Sequence, residues 1–158
     1  MKIEFQGISF IVTNPPLQPI SIEELSAVET ELGCLFPEDY RAFVTTLGAG
    51  NIDIGIRAFS PRYILKILSE TRERFSENWF WDESPDILTQ AKAIECVPCF
   101  DSANGDDIIF DPLHRDRWYI LPHEEEEVYL VSSFVELCDF YLQLEPQQPR
   151  FEFEPDED

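Results

Sequence analysis

Residues 32–47 read Leu-Gly-Cys-Leu-Phe-Pro-Glu-Asp-Tyr-Arg-Ala-Phe-Val-Thr-Thr-Leu, and they decide how the chain is parsed. Gly33 is a helix stop, because glycine takes the left-handed cap conformation without steric cost. Pro37 suits a first helical position, where its missing N–H is not needed, and Glu38 and Asp39 favour the positive end of a helix dipole. Tyr40, Phe43, Val44 and Leu47 fall at i, i+3, i+4 and i+7, a buried stripe. One helix ends and another begins almost at once. Helices linked this closely form a hairpin whose apolar faces meet or cover a sheet.

Toward the N-terminus, Ser21 is placed to cap the preceding helix. Glu24 is placed to reach back to the Ser21 N–H, a capping box with Ile20 and Leu25 as its hydrophobic staple. Ile22, Leu25, Val28 and Leu32 mark the face expected to be buried. Before them, Ile3, Phe5, Ile8, Phe10 and Val12 alternate loosely, as in an edge strand or hairpin ended by Asn14-Pro15-Pro16.

Toward the C-terminus, Leu47-Gly48-Ala49-Gly50-Asn51 closes the second helix, and Ser60-Pro61 opens a third. Ile64, Leu65, Leu68 and Phe75 face inward in it, and Arg72, Glu73 and Arg74 outward. Trp79-Phe80-Trp81 and the acidic Asp82-Glu83 follow, then a turn or short helix at Ser84-Pro85. The second half reads as β. Strands are expected at 94–100 and 107–110, joined through the hairpin dipeptide Asn104-Gly105. A second pair is expected at 118–121 and 128–131, separated by Pro122-His123 and four glutamates. Ser133 and Glu136 form another capping box, opening a helix with Phe134, Leu137, Cys138, Tyr141 and Leu142 on one face. Residues 145–158 are acidic and proline-rich, and are expected to be a flexible or loosely docked tail behind a domain spanning 1–144.

A chain of 158 residues is naturally one domain, and one of this size buries about 68–70% of its unfolded surface. Hydrophobic residues make up 44%, enough for a packed core despite 32 Asp+Glu against 11 Lys+Arg and a net charge of −21. Such a surface repels phosphate backbones and anionic lipid, which excludes direct nucleic-acid and membrane binding as general functions. The acid then serves solubility or draws a basic partner. Residues 119–158 hold 12 of the acids and only Arg150 as a base, so a quarter of the chain carries half the charge. The segment Met1–Gly7 has charge inside any would-be apolar region, and no apolar run approaches the length of a membrane span. Cys34, Cys96, Cys99 and Cys138 are too sparse for a disulfide scaffold and fit a reducing compartment. A soluble, cytoplasmic protein is expected.

The segments Ile22-Glu23-Glu24-Leu25 through Phe36-Pro37-Glu38-Asp39-Tyr40-Arg41-Ala42-Phe43, Val97-Pro98-Cys99-Phe100-Asp101 with Asn104-Gly105-Asp106 and Phe110-Asp111, and Ser133-Phe134-Val135-Glu136-Leu137 occur in this order between residues 22 and 142. Together they resemble the SUKH superfamily, the Smi/Knr-type immunity-protein domain. One departure is Gly48-Ala49-Gly50-Asn51, where the family often has Asn-Gly after its second helix. The resemblance implies a single α+β domain, with a mixed or mostly antiparallel sheet packed by about four helices. It also implies a non-enzymatic role. Many bacterial members look like immunity proteins that bind and block a polymorphic toxin, frequently a nuclease; others look like interaction modules in regulation.

No catalytic, metal or cofactor site emerges from the residues themselves. Cys96-Val97-Pro98-Cys99 has the spacing of a redox pair, but that chemistry needs the first thiol at a helix N-terminus and here a strand is expected. A zinc site needs two further ligands, and Cys34, Cys138, His114 and His123 are isolated in sequence. Ordinary apolar packing is the reading for these cysteines. Asp101, Asn104, Asp106, Asp107 and Asp111 lack the spacing of a helix-flanked calcium loop, and Asn and Asp are what a tight turn uses for its own backbone. Neither histidine neighbours a nucleophile motif, and there is no phosphate-binding glycine loop.

Two acidic segments remain as candidates for binding a partner. Trp79 and Trp81 with Asp82, Glu83 and Asp86 combine aromatic anchors and charge, as protein interfaces do; the alternative is that the aromatics cover the edge of the core. Glu124, Glu125, Glu126 and Glu127 are either simply solvated or steer a basic partner onto the protein. Joined to the family resemblance, the charge points to a basic toxin whose active-site groove is occluded, with carboxylates standing where substrate phosphates would. The alternative is a cytoplasmic interaction module of the same fold with no toxin. The pattern does not specify an oligomeric state.

Overall fold

Strand pairing sets the frame on which the helices are laid. The computed structural model describes residues 1–14, 16–77, 84–144 and 151–156. In chain order these form β1 (Lys2–Phe5), β2 (Ile8–Val12), α1 (Ile22–Leu32), α2 (Glu38–Thr46), β3 (Gly50–Ile52), β4 (Ile56–Ala58) and α3 (Pro61–Glu77). There follow α4 (Gln90–Ala93), β5 (Val97–Ser102), β6 (Asp107–Asp111), β7 (His114–Leu121), β8 (Tyr129–Val131), α5 (Phe134–Leu144) and β9 (Phe151–Pro155). Among the described residues the nine strands make one sheet in the order β1-β2-β9-β3-β4-β5-β6-β7-β8. Every pairing is antiparallel except that of β2 with β9. The mixed, mostly antiparallel α+β domain expected from the sequence is the one observed. Among the described residues, four longer helices and the one-turn α4 accompany the sheet.

The local signals act as expected at most helix ends. The Ser21 Oγ accepts from the Glu24 N–H at 3.1 Å, and Gly33 caps α1 in the left-handed region with φ 76°. The other half of that capping box is not made: the Glu24 carboxylate accepts from Arg62 on α3 at 3.1 Å. Ile22, expected on the buried face, is 64% exposed, whereas Leu25 in the same turn is 1% exposed. On α2 the whole stripe is buried, Tyr40, Phe43, Val44 and Leu47 each being 0% exposed. At α5 the Ser133 Oγ accepts from the Glu136 N–H at 3.1 Å, while the Glu136 carboxylate reaches one residue further, to the Ser132 N–H, at 2.6 Å.

β6 and β7 divide two cores. Ile108, Phe110, Trp118 and Ile120 point into the main core with α1, α2 and α5. Ile109, Tyr119 and Leu121, the alternate positions, pack with Phe75, Leu88, Ala93, Cys96 and Val128 in a smaller core on the other face. Burial on both faces explains why these strands read as continuous apolar runs rather than alternating ones.

Several elements depart from the sequence reading. The strand expected to begin at Ile94 begins at Val97, since residues 90–93 take a helical turn capped by the Thr89 hydroxyl. β7 begins at His114 rather than Trp118 and closes a hairpin with β6 that the sequence did not announce. β3 and β4, three residues each, were also not foreseen. Arg74 faces outward as expected, and at the surface it makes a two-pronged contact with Asp107 at 2.7 and 2.8 Å.

The largest correction concerns the tail. The expectation of a flexible segment from residue 145 does not describe residues 151–155, which form β9 inside the sheet. β9 lies parallel to β2 and antiparallel to β3, with Phe153 0% exposed. Gly50 on β3 makes this possible, because a Cβ there would run into the Glu154 carbonyl oxygen and the Phe153 ring. Phe153→Ala should therefore cost about 3–5 kcal/mol in urea unfolding, as for a core phenylalanine. Gly50→Ala should destabilise by at least about 1–3 kcal/mol through overpacking, with early loss of amide protection in residues 151–155. A tail without structural weight would leave the midpoint unmoved in both variants.

Candidate partner-binding surface

The acids of the second half divide by whether a partner within the chain holds them. Asp101 takes a two-pronged contact from Arg57 at 2.7 and 3.1 Å, and the guanidinium lies over the Phe59 and Tyr63 rings. Asp107 is held by Arg74, and Asp111, almost wholly buried, by Lys92 at 3.2 Å and by the Leu113 N–H at 3.0 Å. Asp106 is 6% exposed and accepts from the Tyr141 hydroxyl at 2.8 Å and the His123 N–H at 2.9 Å. Burial, and then the bond to Asp106, push the Tyr141 hydroxyl well above its ordinary pKa. The aspartates that cluster around the 101–106 turn are thus each committed to a cation or a backbone amide. Among the described residues, no group of His, Cys, Asp and Glu is arranged to hold a metal.

The helix pair is tied down in the same way. Glu29, 5% exposed, accepts from the Phe36 N–H at 2.8 Å and pairs with Arg41 at 3.2 Å, bracing the α1–α2 connection. Asp39 accepts from the Phe134 N–H at 2.7 Å and from the Gln6 amide at 2.7 Å, so one side chain of α2 caps α5 and holds the β1–β2 turn. Asp39 also lines a groove of about 550 Å³ with Glu38, Leu113, His114, Arg115, Asp116, Trp118, Ser132 and Ser133. The polar groups of that groove are largely spent: Arg115 donates to the Phe36 carbonyl at 3.1 Å, and Ser133 caps α5.

The acidic loop is different. Glu124, Glu125, Glu126 and Glu127 are all exposed and, among the described residues, none is in an ion pair. Both ends of the loop are pinned. The His123 N–H is held by Asp106, and the Val128 N–H donates to the Ser84 hydroxyl at 2.9 Å in a buried setting. Within the loop, the Tyr129 hydroxyl donates to Glu125 at 2.6 Å, and this bond to a carboxylate raises its pKa to about 12. The bond from the Val128 N–H to Ser84 ties the end of the acidic loop to a residue two positions before the exposed Asp86, joining two segments that lie far apart in sequence. Trp79, Trp81, Asp82 and Glu83 lie outside the described residues. Sequence reading singled out the glutamates but missed Ser84 and Asp106 as their anchors. The only local signal was the Ser-Pro turn and the turn aspartate.

Cys96, Cys99 and Cys138 are buried and Cys34 is half-buried, all four as free thiols. Burial pushes the Cys96 thiol up to about 12, with the Asp111 charge adding to it, and it raises Cys99 and Cys138 as well. Thiols with so little thiolate are poor nucleophiles. A disulfide reagent at pH 8 should therefore label at most Cys34 in the folded protein and all four cysteines in denaturant. Rapid native labelling of Cys96 or Cys99 would contradict the burial. Asp106→Ala should cost about 1–3 kcal/mol, the penalty for removing the buried acceptor shared by the Tyr141 hydroxyl and the His123 N–H. It should also speed exchange of the His123 amide; unchanged exchange would show that the loop is held by other means.

Among the described residues, no helix is long and apolar enough to cross a membrane. Neither a search of curated proteins nor one of solved structures returns a match. A family model matches residues 19–139, a span that runs from before α1 into α5 and contains both the committed aspartates and the acidic loop. The chain belongs to the SMI1 / KNR4 family (SUKH-1), a family that includes immunity proteins.

Proposed function

We propose that this protein is an immunity protein that binds a basic toxin and neutralises it by non-catalytic occlusion. The observation that carries the reading is the division of the acid. Most carboxylates around the 101–111 hairpin are neutralised internally, while Glu124 to Glu127 and Asp86 stand exposed with no cation paired to them among the described residues. Four like charges in one loop repel one another, which favours a loop that spreads unless it is anchored. Here it is anchored at both ends, so less ordering entropy is lost when a partner docks. Acidic side chains presented this way suit a groove that otherwise takes phosphates, and their field raises the rate of encounter with a basic protein. Trp79, Trp81, Asp82 and Glu83 precede Ser84 directly in the chain, and they belong to the proposed partner-binding set.

The test is capture of the partner from the native host, followed by affinity measurement at increasing salt. Replacing Glu124, Glu125, Glu126 and Glu127 together by Gln should weaken binding about tenfold or more, chiefly by slowing association, with the unfolding midpoint little changed. Affinity that is independent of salt, or unaffected by the replacement, would sink the electrostatic reading. A partner with no toxic activity would assign the chain to regulatory interaction instead.

A further inference from the structure

A different face of the molecule carries charge of the opposite character. α3 bears Arg62, Lys66, Arg72 and Arg74 against Glu70, Glu73 and Glu77, a slightly basic helix in a chain of net −21. Most cations near this face are committed within the chain: Arg57 to Asp101, Arg62 to Glu24 and Arg74 to Asp107. Lys66 is not. It and Glu70 are exposed one turn apart, and among the described residues neither is in an ion pair. Lys2 is likewise in no ion pair among the described residues, so what sets Lys66 apart is its place on α3 one turn from the unpaired Glu70. The order Lys then Glu is also the weaker arrangement for pairing along a helix.

Lys66 and Glu70 border a groove of about 470 Å³ with Arg62, Tyr63 and Ile67. Tyr63 and Ile67 are half-buried, which leaves apolar surface between the two charges. At helical spacing, residues 63, 66, 67 and 70 share one stripe. Two copies of so acidic a chain repel through most approaches, and α3 offers a contact where the charge is locally balanced.

We propose that α3 is a dimerisation surface, with a second copy of this chain as its occupant. A two-fold interface is self-complementary: if residue i meets residue j, then j meets i. An axis lying beside the exposed stripe, at the level of residue 68 along α3, lays the two helices antiparallel. Lys66 of each copy then faces Glu70 of the other, with Tyr63 and Ile67 packed alongside. The contact lies on α3 and uses none of the acidic-loop residues, so it does not depend on the proposed function.

The experiment is sedimentation equilibrium on the full chain, comparing the wild type with Lys66→Glu and with the exchange Lys66→Glu/Glu70→Lys. The wild type should dimerise. Lys66→Glu sets like charges face to face at both copies of the contact and should weaken the dimer about tenfold or more. The exchange restores opposite charges and should return the affinity to within a few-fold of wild type. Both positions are exposed, so thermal unfolding should be alike for all three proteins. A wild type that stays monomeric at the highest loading, a Lys66→Glu variant that dimerises normally, or an exchange that fails to restore the dimer would each overturn the proposal.

Discussion

The structure depends first on the packing around one ring. Phe43, on the buried stripe of α2, lies within 5.1–6.4 Å of the rings of Phe5, Phe10, Phe100, Phe134 and Phe153. Those rings come from β1, β2, β5, α5 and β9, elements from both ends of the chain and its middle. Most of the pairs are edge-on, the geometry that aromatic quadrupoles favour. Because α2 is short and enters straight from Pro37, the position of this ring is set by the α1–α2 connection. Glu29 braces that connection, and Asp39 carries the constraint onward to α5. A polar scaffold of two carboxylates thus aims an apolar hub.

The same economy governs the acid. In a chain of net −21, carboxylates that bear on the fold are matched to a guanidinium, an ammonium, a hydroxyl or a backbone amide. Buried charges need such partners, since an unpaired one would carry its full desolvation cost. What is left over is confined to places where water can solvate it, notably the loop before β8. The repulsion concentrated there is tolerated because Ser84 and Asp106 hold the loop ends from outside. The proposed binding role draws on family membership and the pinned acidic loop, and the proposed contact on α3 draws on neither.

Much of the helical part was legible in the sequence because its signals are local. Ser21, Gly33, Pro37 and Ser133 act on their own turns, and a period of three to four residues is a sufficient description of a buried helix face. The short strands were not legible. β3 and β4 have three residues each, too few to show an alternation, and they are strands only because their neighbours supply hydrogen bonds. β9 did show a trace, since Phe151 and Phe153 alternate with Glu152 and Glu154 before Pro155. Its acidity and flanking prolines resemble a solvated tail, and the slot that receives it is built by β2 and β3, far away in the chain. Of the candidate site, the four glutamates stood out as a run. Their anchors did not, because Ser84 and Asp106 matter only through residues distant in sequence.

By itself, therefore, the sequence determined the helix pair, the capping of α1 and α5, the β-rich second half, the family and the excess of acid. These follow from patterns that a few neighbouring residues carry. Tertiary structure alone decided that the C-terminal strand lies inside the sheet, that the motif aspartates are neutralised, and that Ser84 holds the end of the glutamate loop. Each of those depends on which distant backbone or charge comes within hydrogen-bonding distance, and that is settled only when the aromatic core closes.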